Sequence, residues 1–301
     1  MKATKMNDMT EPKNSMPETS LQDKSEFYLI MARAFMTPQA QESYQAMTEY
    51  LADDLAELGQ ALGYELDSHL ADYRAEMAKI TNHEDLLIIY SRIFLQPPRE
   101  AQINPGVYVD GAFMGGTVDE MAAYYLKFGL ARGDHFKDLP DHVSVQLEFV
   151  SCLYARAAEA LESGTPDAGA ETGAGHYLYD FVQRWLPKFH ADLEKTTREL
   201  GEIDIPANPY LPLASILASA LALDAVADPA MVEEKSRVEK AMEKARATYA
   251  ARGITPEDMA EMERKLKEKG LSTEHLNIPV GSRDHEMGWT AKTPPDPRRH
   301  K

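Results

Sequence analysis

Cysteine is almost absent from this 301-residue chain, in which Cys152 stands alone. One cysteine excludes an internal disulfide and any Cys-x-x-Cys metal site. The chain also lacks an apolar run approaching the ~20 residues that span a membrane. Its first 24 residues contain no apolar stretch of the kind found in secretory signals. These absences predict a soluble cytoplasmic protein without membrane insertion.

Sequence motifs of common catalytic sites are absent as well. The chain has no GxSxG nucleophile elbow and no HExxH zinc motif, and Gly115-Gly116 is not followed by the Gly-Lys-Ser/Thr of a phosphate-binding loop. His135 and His142 lie seven residues apart, so a shared metal stays open, although it fits none of the usual ligand patterns. We therefore expect neither catalysis nor an intrinsic cofactor.

Basic residues are scarce in the middle of the chain. The formal net charge is −17, and residues 26–230 alone carry 13 basic and 32 acidic side chains, a net charge of −19. Such a field repels nucleic acid and anionic membranes, and it attracts basic ligands.

What the chain does have is helical periodicity along most of its length. The spacing of apolar residues, with Pro and Gly as stops, predicts helices over 25–36, 39–62, 67–80, 83–95, 117–130, 140–163, 176–200 and 209–226. Residues 99–116 and 163–175 are predicted loops, the second of them mobile. The fold class is therefore all-α. We expect a disordered tail over 1–24, a single helical-bundle domain over 25–228, and a charged helical extension with an irregular tail over 229–301.

The predicted helix over 140–163 is central because apolar residues cover two of its faces. Pro140 suits a first turn, with Asp138 as a plausible cap. The helix also carries Asp141, His142 and Glu148, and the two acids share one face, seven residues apart. Buried carboxylates require partners. Asp141 and Glu148 as an acid–base pair lack an accompanying substrate-orienting motif, while Cys152 is interpreted as a small core residue.

Several of these residues carry a resemblance to a known family. Tyr90-Ser-Arg-Ile-Phe94, Leu139-Pro140-Asp141-His142, Leu147-Glu148-Phe149, Trp185-Leu-Pro-Lys-Phe189 and Asn208-Pro-Tyr210 resemble motifs of the TorD/DmsD-type, NarJ-like redox-enzyme maturation chaperones. The segment GVYVDGAFMGGTVDEM is most similar to the branch that serves type II enzymes of the dimethyl-sulfoxide-reductase family. The resemblance spans roughly residues 25–226 and implies an all-helical fold of the TorD-like type.

The resemblance also implies a function and a site. It implies a non-catalytic chaperone that binds the immature catalytic subunit of a molybdopterin oxidoreductase, its twin-arginine signal peptide, or both, and holds the subunit for cofactor insertion before export. Asp141 and His142 are the implied signal-peptide site, supported by Glu148 and Pro140, with Tyr90 and Phe94 building or buttressing it. Alanine at Asp141 or His142 is expected to weaken peptide binding with little change in melting temperature. We expect a monomer or weak dimer.

Two other classes of function remain open at this point. A helical adaptor or regulatory protein without a molybdoenzyme client would account for the charged C-terminal helices. An enzyme acting on a nucleotide or small molecule would require a phosphate or metal site that the sequence does not show.

Overall fold

The computed structural model describes residues 18–130, residues 139–229 and Lys240. The chain divides into two units at Ala227, and every element given below lies in the first. The helices are α1 Glu18–Ala34, α2 Gln41–Gln45, α3 Leu51–Leu62, α4 Asp67–Met77, α5 His83–Tyr90, α6 Gly106–Asp110, α7 Gly116–Lys127, α8 Val143–Glu162, α9 Ala168–Tyr177, α10 Gln183–Arg198 and α11 Tyr210–Asp224. These residues contain no strand, and the predicted all-α class is confirmed. No helix among them is long and apolar enough to cross a membrane.

Three π-helical turns extend α-helices in the described part of the chain. They span Ala46–Tyr50, Ser91–Leu95 and Leu178–Val182, and each continues an α-helix without a loop. The first joins α2 to α3, so the predicted helix over 39–62 is nearly continuous. It ends where predicted, at Gly63, whose positive φ of 73° suits glycine. The second extends α5 to Leu95, the predicted end before Pro97.

Helix α8 occupies the centre of the bundle, as predicted. It packs along α1 and against α9, while α11 lies against α4 and α10. Residues of the first apolar face are fully buried: Val143, Leu147, Val150 and Tyr154. The second face is incomplete, because Phe149 and Leu153 are buried but Cys152 is exposed. The interpretation of Cys152 as a core residue is therefore wrong.

Both predicted loops contain a helix. Helix α6 interrupts 99–116, and α9 begins inside the supposedly mobile segment 163–175, where Asp167 accepts a hydrogen bond from the amide of Ala170 at 3.0 Å. The small residues of α9 allow close packing. A Cβ added at Gly173 would lie 2.3 Å from the ring of Phe128. The sequence composition resembles that of a flexible loop because the helix requires short side chains at this contact.

Helix α1 begins at Glu18, seven residues before the predicted start, so residues 18–24 are not a disordered tail. One reason is Lys24, which is buried and lies 2.6 Å from Asp224 at the end of α11. The carboxylate of Asp224 also accepts hydrogen bonds from the hydroxyls of Tyr28, at 2.9 Å, and Tyr64. This buried network connects α1 to α11. Residues 1–17 lie outside the described residues, as do the predicted helices after 230.

Removing the charge of Asp224 should therefore destabilise the domain. Asp224→Asn leaves the Lys24 ammonium group buried without a carboxylate, and such a loss costs roughly 3–5 kcal/mol. Asp53→Asn removes an exposed pair with Arg74, which is held at 2.7 Å, and should cost about 0–1 kcal/mol. Urea unfolding followed by circular dichroism measures both. Equal losses would contradict a structural role for the buried pair.

Candidate functional site

Residues Leu139 to His142 form a turn that precedes α8 rather than its first helical turn. The amide of His142 donates to the carbonyl of Leu139 at 3.1 Å, and the amide of Val143 donates to the carbonyl of Ile103 at 3.0 Å. His142 caps the helix, since its Nδ1 accepts a hydrogen bond from the amide of Ser144 at 3.1 Å. The predicted start at Pro140 is therefore wrong by three residues. Asp138, the predicted cap, lies outside the described residues.

Asp141 is buried, with 2% of its surface exposed, and its carboxylate holds a neighbouring loop. Its Oδ2 accepts a hydrogen bond from the amide of Gly106 at 3.0 Å, and its Oδ1 accepts one from Asn104 Nδ2 at 3.4 Å. Position 106 requires glycine, because a Cβ there would approach Asp141 Oδ2 to 2.7 Å. The carboxylate thus fixes the point where α6 begins.

The backbone of the turn is held by two further buried side chains. Gln146 Nε2 donates to the carbonyl of Asp141 at 2.6 Å, and Trp185 Nε1 donates to Gln146 Oε1 at 3.0 Å. Gln146 and Trp185 are completely buried. The turn, α8 and α10 are therefore joined by consecutive hydrogen bonds. Gln146 was not predicted as a site residue, although it is a polar residue between the two apolar faces of α8.

A pair of tyrosines closes the other side of the turn. Tyr125 donates to the carbonyl of Pro140 at 3.0 Å, and its hydroxyl lies 2.8 Å from that of Tyr177. Burial raises the pKa of both phenols, and the Asp141 carboxylate raises them further. Both side chains therefore stay neutral at physiological pH and serve as hydrogen-bond donors.

The remaining predicted site residues are separated by the fold. Tyr90 and Phe94 are fully buried, with ring centroids 5.0 Å apart, and the Tyr90 hydroxyl donates to the carbonyl of Phe35 at 3.3 Å. Glu148 is exposed, whereas Asp141 lies before the helix and is buried. The predicted shared face of Asp141 and Glu148 is therefore wrong. Pro140 is partly exposed at the turn.

Helix α10 physically links the Asp141-His142 turn to the Tyr90–Phe94 motif. Phe189 lies one helical turn after Trp185, with ring centroids 5.6 Å apart, and it stacks on Phe94 at 6.1 Å. Contacts therefore run from Asp141 through Gln146, Trp185 and Phe189 to Phe94 and Tyr90. The Asp141-His142 turn and the Tyr90–Phe94 motif therefore contribute to one packed unit. The aromatic side chains that connect them are buried and do not reach solvent.

Among the residues that the structure describes, no group of three or more His, Cys, Asp or Glu side chains could hold a metal ion. His135, the other member of the histidine pair considered above, falls in the segment 131–138 outside those residues.

Comparison with known proteins agrees with the family resemblance noted in the sequence. The model of the family described as nitrate reductase delta subunit matches residues 45–191. The chain is 29% identical over 136 residues to the perchlorate reductase assembly chaperone protein of Dechloromonas aromatica, covering 41% of this chain and 58% of that relative.

Two further relatives have similar names. The chaperone protein TorD of Photobacterium profundum is 23% identical over 152 residues, 48% of this chain and 70% of the relative. The chlorate reductase assembly chaperone protein of Ideonella dechloratans is 28% identical over 81 residues, 27% of this chain and 42% of the relative. The chain thus spans only part of the length of each of these three proteins. The predicted resemblance to TorD-like maturation chaperones is confirmed.

The burial of Asp141 leads us to replace the earlier expectation for its alanine variant. Asp141→Ala should lower the free energy of unfolding by about 1–3 kcal/mol, because the buried amide of Gly106 loses its acceptor. Glu148→Ala, at an exposed position of the neighbouring helix, should change it by less than about 0.5 kcal/mol. Chemical unfolding measures the difference. Unchanged stability of Asp141→Ala would show that water or another acceptor readily replaces this contact.

Cys152 allows a separate test of the exposed face of α8. Although Cys152 is exposed, partial desolvation by its neighbours raises the pKa of its thiol, and the carboxylate of Glu148, one turn away, raises it further. Because the thiolate is the reactive form, modification by a disulfide reagent should require a higher pH than for an unperturbed thiol. Glu148→Gln should move the rate-against-pH curve to lower pH, and Glu162→Gln should leave it in place. An identical curve for all three proteins would contradict the proximity of Glu148.

Proposed function

We propose that this protein is a cytoplasmic, non-catalytic assembly chaperone for a molybdopterin oxidoreductase of the dimethyl-sulfoxide-reductase family. It binds the immature catalytic subunit, its twin-arginine signal peptide, or both, and holds the subunit for cofactor insertion before export. The observation that carries the proposal is the family match over residues 45–191, in which the Asp141-His142 turn, α8 and Trp185 all lie. The names of the relatives support the same function.

The geometry of the turn favours binding over catalysis. The Asp141 carboxylate is engaged by two donors, and His142 Nδ1 accepts from the backbone of its own helix. An acid–base mechanism requires groups that meet a substrate. Asp141 and Glu148 do not form such a pair, because one is buried before α8 and the other faces solvent.

We assign the predicted site residues two different roles. Asp141 and His142 position the turn and the start of α6, and Tyr90 and Phe94 support the same packed unit from the core. Pro140 and Glu148 have solvent-accessible surface and are therefore the members of the set that contact the client. A carboxylate on the surface suits arginine, which binds carboxylates through two parallel hydrogen bonds.

The test is the state of the captured client. Affinity capture of the tagged full-length chain should recover a molybdoenzyme catalytic subunit that lacks its cofactor. Cells blocked in molybdopterin synthesis should yield more of this complex, because the subunit cannot mature. Deleting the gene should lower the molybdenum content of the corresponding enzyme. Capture of the mature holoenzyme in equal amount would instead favour the helical adaptor.

A further inference from the structure

The loop between α6 and α7 carries two large apolar side chains in contact with water. Phe113 is 48% exposed and Met114 is 60% exposed, and residues 110–114 are exposed without exception. Apart from its neighbours in the chain, a Cβ added at Gly111 would meet no described atom within 4 Å. The 111–115 loop therefore protrudes from the bundle and ends in an apolar tip.

The backbone at the tip has a conformation that is costly for a residue with a side chain. Met114 has a φ of 57°, in the left-handed region that residues other than Gly, Asn and Asp rarely adopt. Such a conformation persists only where the surrounding structure holds it, and positions of this kind cluster at functional sites. The costly backbone at Met114, together with its exposed side chain, therefore indicates a role in binding.

One carboxylate holds both ends of the loop. Asp110, the last residue of α6, accepts hydrogen bonds from the amide of Thr117 at 3.0 Å and from its hydroxyl at 2.7 Å. A Cβ at Gly115 would collide with the same carboxylate. On the Phe113 ring, the guanidinium of Arg99 lies 5.3 Å from the centroid, a distance typical of a cation–π contact. The tip is thus preformed, which lowers the entropic cost of binding.

The buried turn before α8 reaches this loop through α6. The Asp141 carboxylate accepts a hydrogen bond from the amide of Gly106, the first residue of α6, and Asp110 is the last residue of the same helix. Tyr108 in its middle donates to Asp192 on α10 at 2.7 Å. Because α6 has only five residues, a displacement of its start also displaces the loop at its end.

We propose that Phe113 and Met114 insert into an apolar pocket of a folded protein domain, and that Asp141 is a positioning residue for this contact. A protruding tip buries its side chains only in a concave surface, which a folded domain offers and an extended peptide does not. Anchors that fill a pocket carry much of the binding energy of an interface. The net charge of −19 over residues 26–230 disfavours an anionic membrane as the partner.

The identity of the partner as the body of the molybdoenzyme catalytic subunit rests on the proposed function, whereas the apolar tip does not. The contact is also separate from recognition of the signal peptide. A signal peptide offered alone has no pocket, so its binding should not depend on Phe113 or Met114.

Photo-crosslinking in cells tests the contact for any partner. The full chain carries p-benzoylphenylalanine in place of Phe113 or, as the control, in place of Leu126, which is 55% exposed near the other end of α7. Irradiation should join the first protein to the catalytic subunit, at a segment outside the signal peptide that mass spectrometry identifies. The control should give at least tenfold less of this product.

A substitution at Met114 separates binding from folding. Met114→Gly keeps the left-handed backbone without a Cβ, so the urea midpoint of unfolding should be equal to or higher than that of the wild type. Surface plasmon resonance should show at least tenfold weaker binding to the subunit without its signal peptide, because an anchor is lost. Binding of the signal peptide alone should not change. Leu126→Ala, the control, should leave both affinities unchanged.

The positioning role of Asp141 is tested by a double-mutant cycle. Asp141→Ala should weaken binding of the same truncated subunit in the wild-type chain, but less than twofold in the Met114→Gly chain, where the tip has no anchor left to position. Asp141→Asn keeps an oxygen that accepts from the Gly106 amide, and it should restore binding toward the wild-type value. Equal weakening in both chains would contradict this role, and the asparagine variant provides the same comparison if the alanine variant does not fold.

The outcomes separate this proposal from the proposed function. Capture of the subunit by the wild-type chain without a crosslink from position 113 would overturn the apolar contact and leave the chaperone function intact. A crosslink between two copies of this chain, or unchanged subunit binding by Met114→Gly, would also overturn it. A crosslink to a different folded protein that Met114→Gly abolishes, with no captured molybdoenzyme subunit, would support the contact and contradict the proposed function. Neither capture nor crosslink would contradict both.

Discussion

The hydrogen bond from the Gly106 amide to the Asp141 carboxylate is the constraint on which the rest of the site depends. It fixes the loop before α6 against the turn before α8, two segments 35 residues apart in sequence. Burying a carboxylate is costly unless donors surround it. The donors from Gly106 and Asn104 meet that requirement, while Gln146 holds the carbonyl of the same residue. The turn is consequently rigid, and it determines where the loop before α6 and the start of α8 lie.

This arrangement bears on the recognition role that is proposed for the Asp141-His142 motif. An Asp-His pair suggests direct contact of the carboxylate with an arginine of the ligand. In this chain both side chains face inward and bond to backbone amides. Under the proposed function, a substitution at either position would therefore act on client binding through the shape of the surface. Loss of binding in such variants is therefore insufficient to identify a contact, and stability must be measured alongside it.

The order of the helices could be predicted from the sequence because apolar periodicity dominates in a bundle. The central location of α8 and the end of α3 at Gly63 followed from local rules. The start of α8 could not be predicted, because Pro140 is compatible with a first helical turn and only the remote partners of Asp141 and Val143 hold the segment in a turn. Helix α9 was missed for a related reason, since its Gly173 is required by the ring of Phe128, which is remote in sequence.

The candidate site was predicted only in part, and the limit is again physical. Resemblance identified residues that matter together, and the contacts through Trp185 and Phe189 explain why distant motifs belong to one unit. The resemblance did not reveal which side chains reach solvent. A helical pattern predicts the buried face correctly only where the start and end of the helix are also predicted correctly. Gln146 was not predicted because a single amide side chain on an apolar helix matches no sequence motif.

The π-helical turn at Ala46–Tyr50 has a consequence for how this part of the chain tolerates change in length. A π-helical turn is equivalent to one extra residue within an α-helix. Because the turn absorbs that residue locally, deleting a single residue there would restore regular α-helical geometry and leave α2 and α3 facing as they do. A deletion inside α3 has no bulge to absorb it and would turn the residues before it by about 100° relative to those after it. The chain should therefore accept the loss of one residue at Ala46–Tyr50 more readily than the loss of one inside α3.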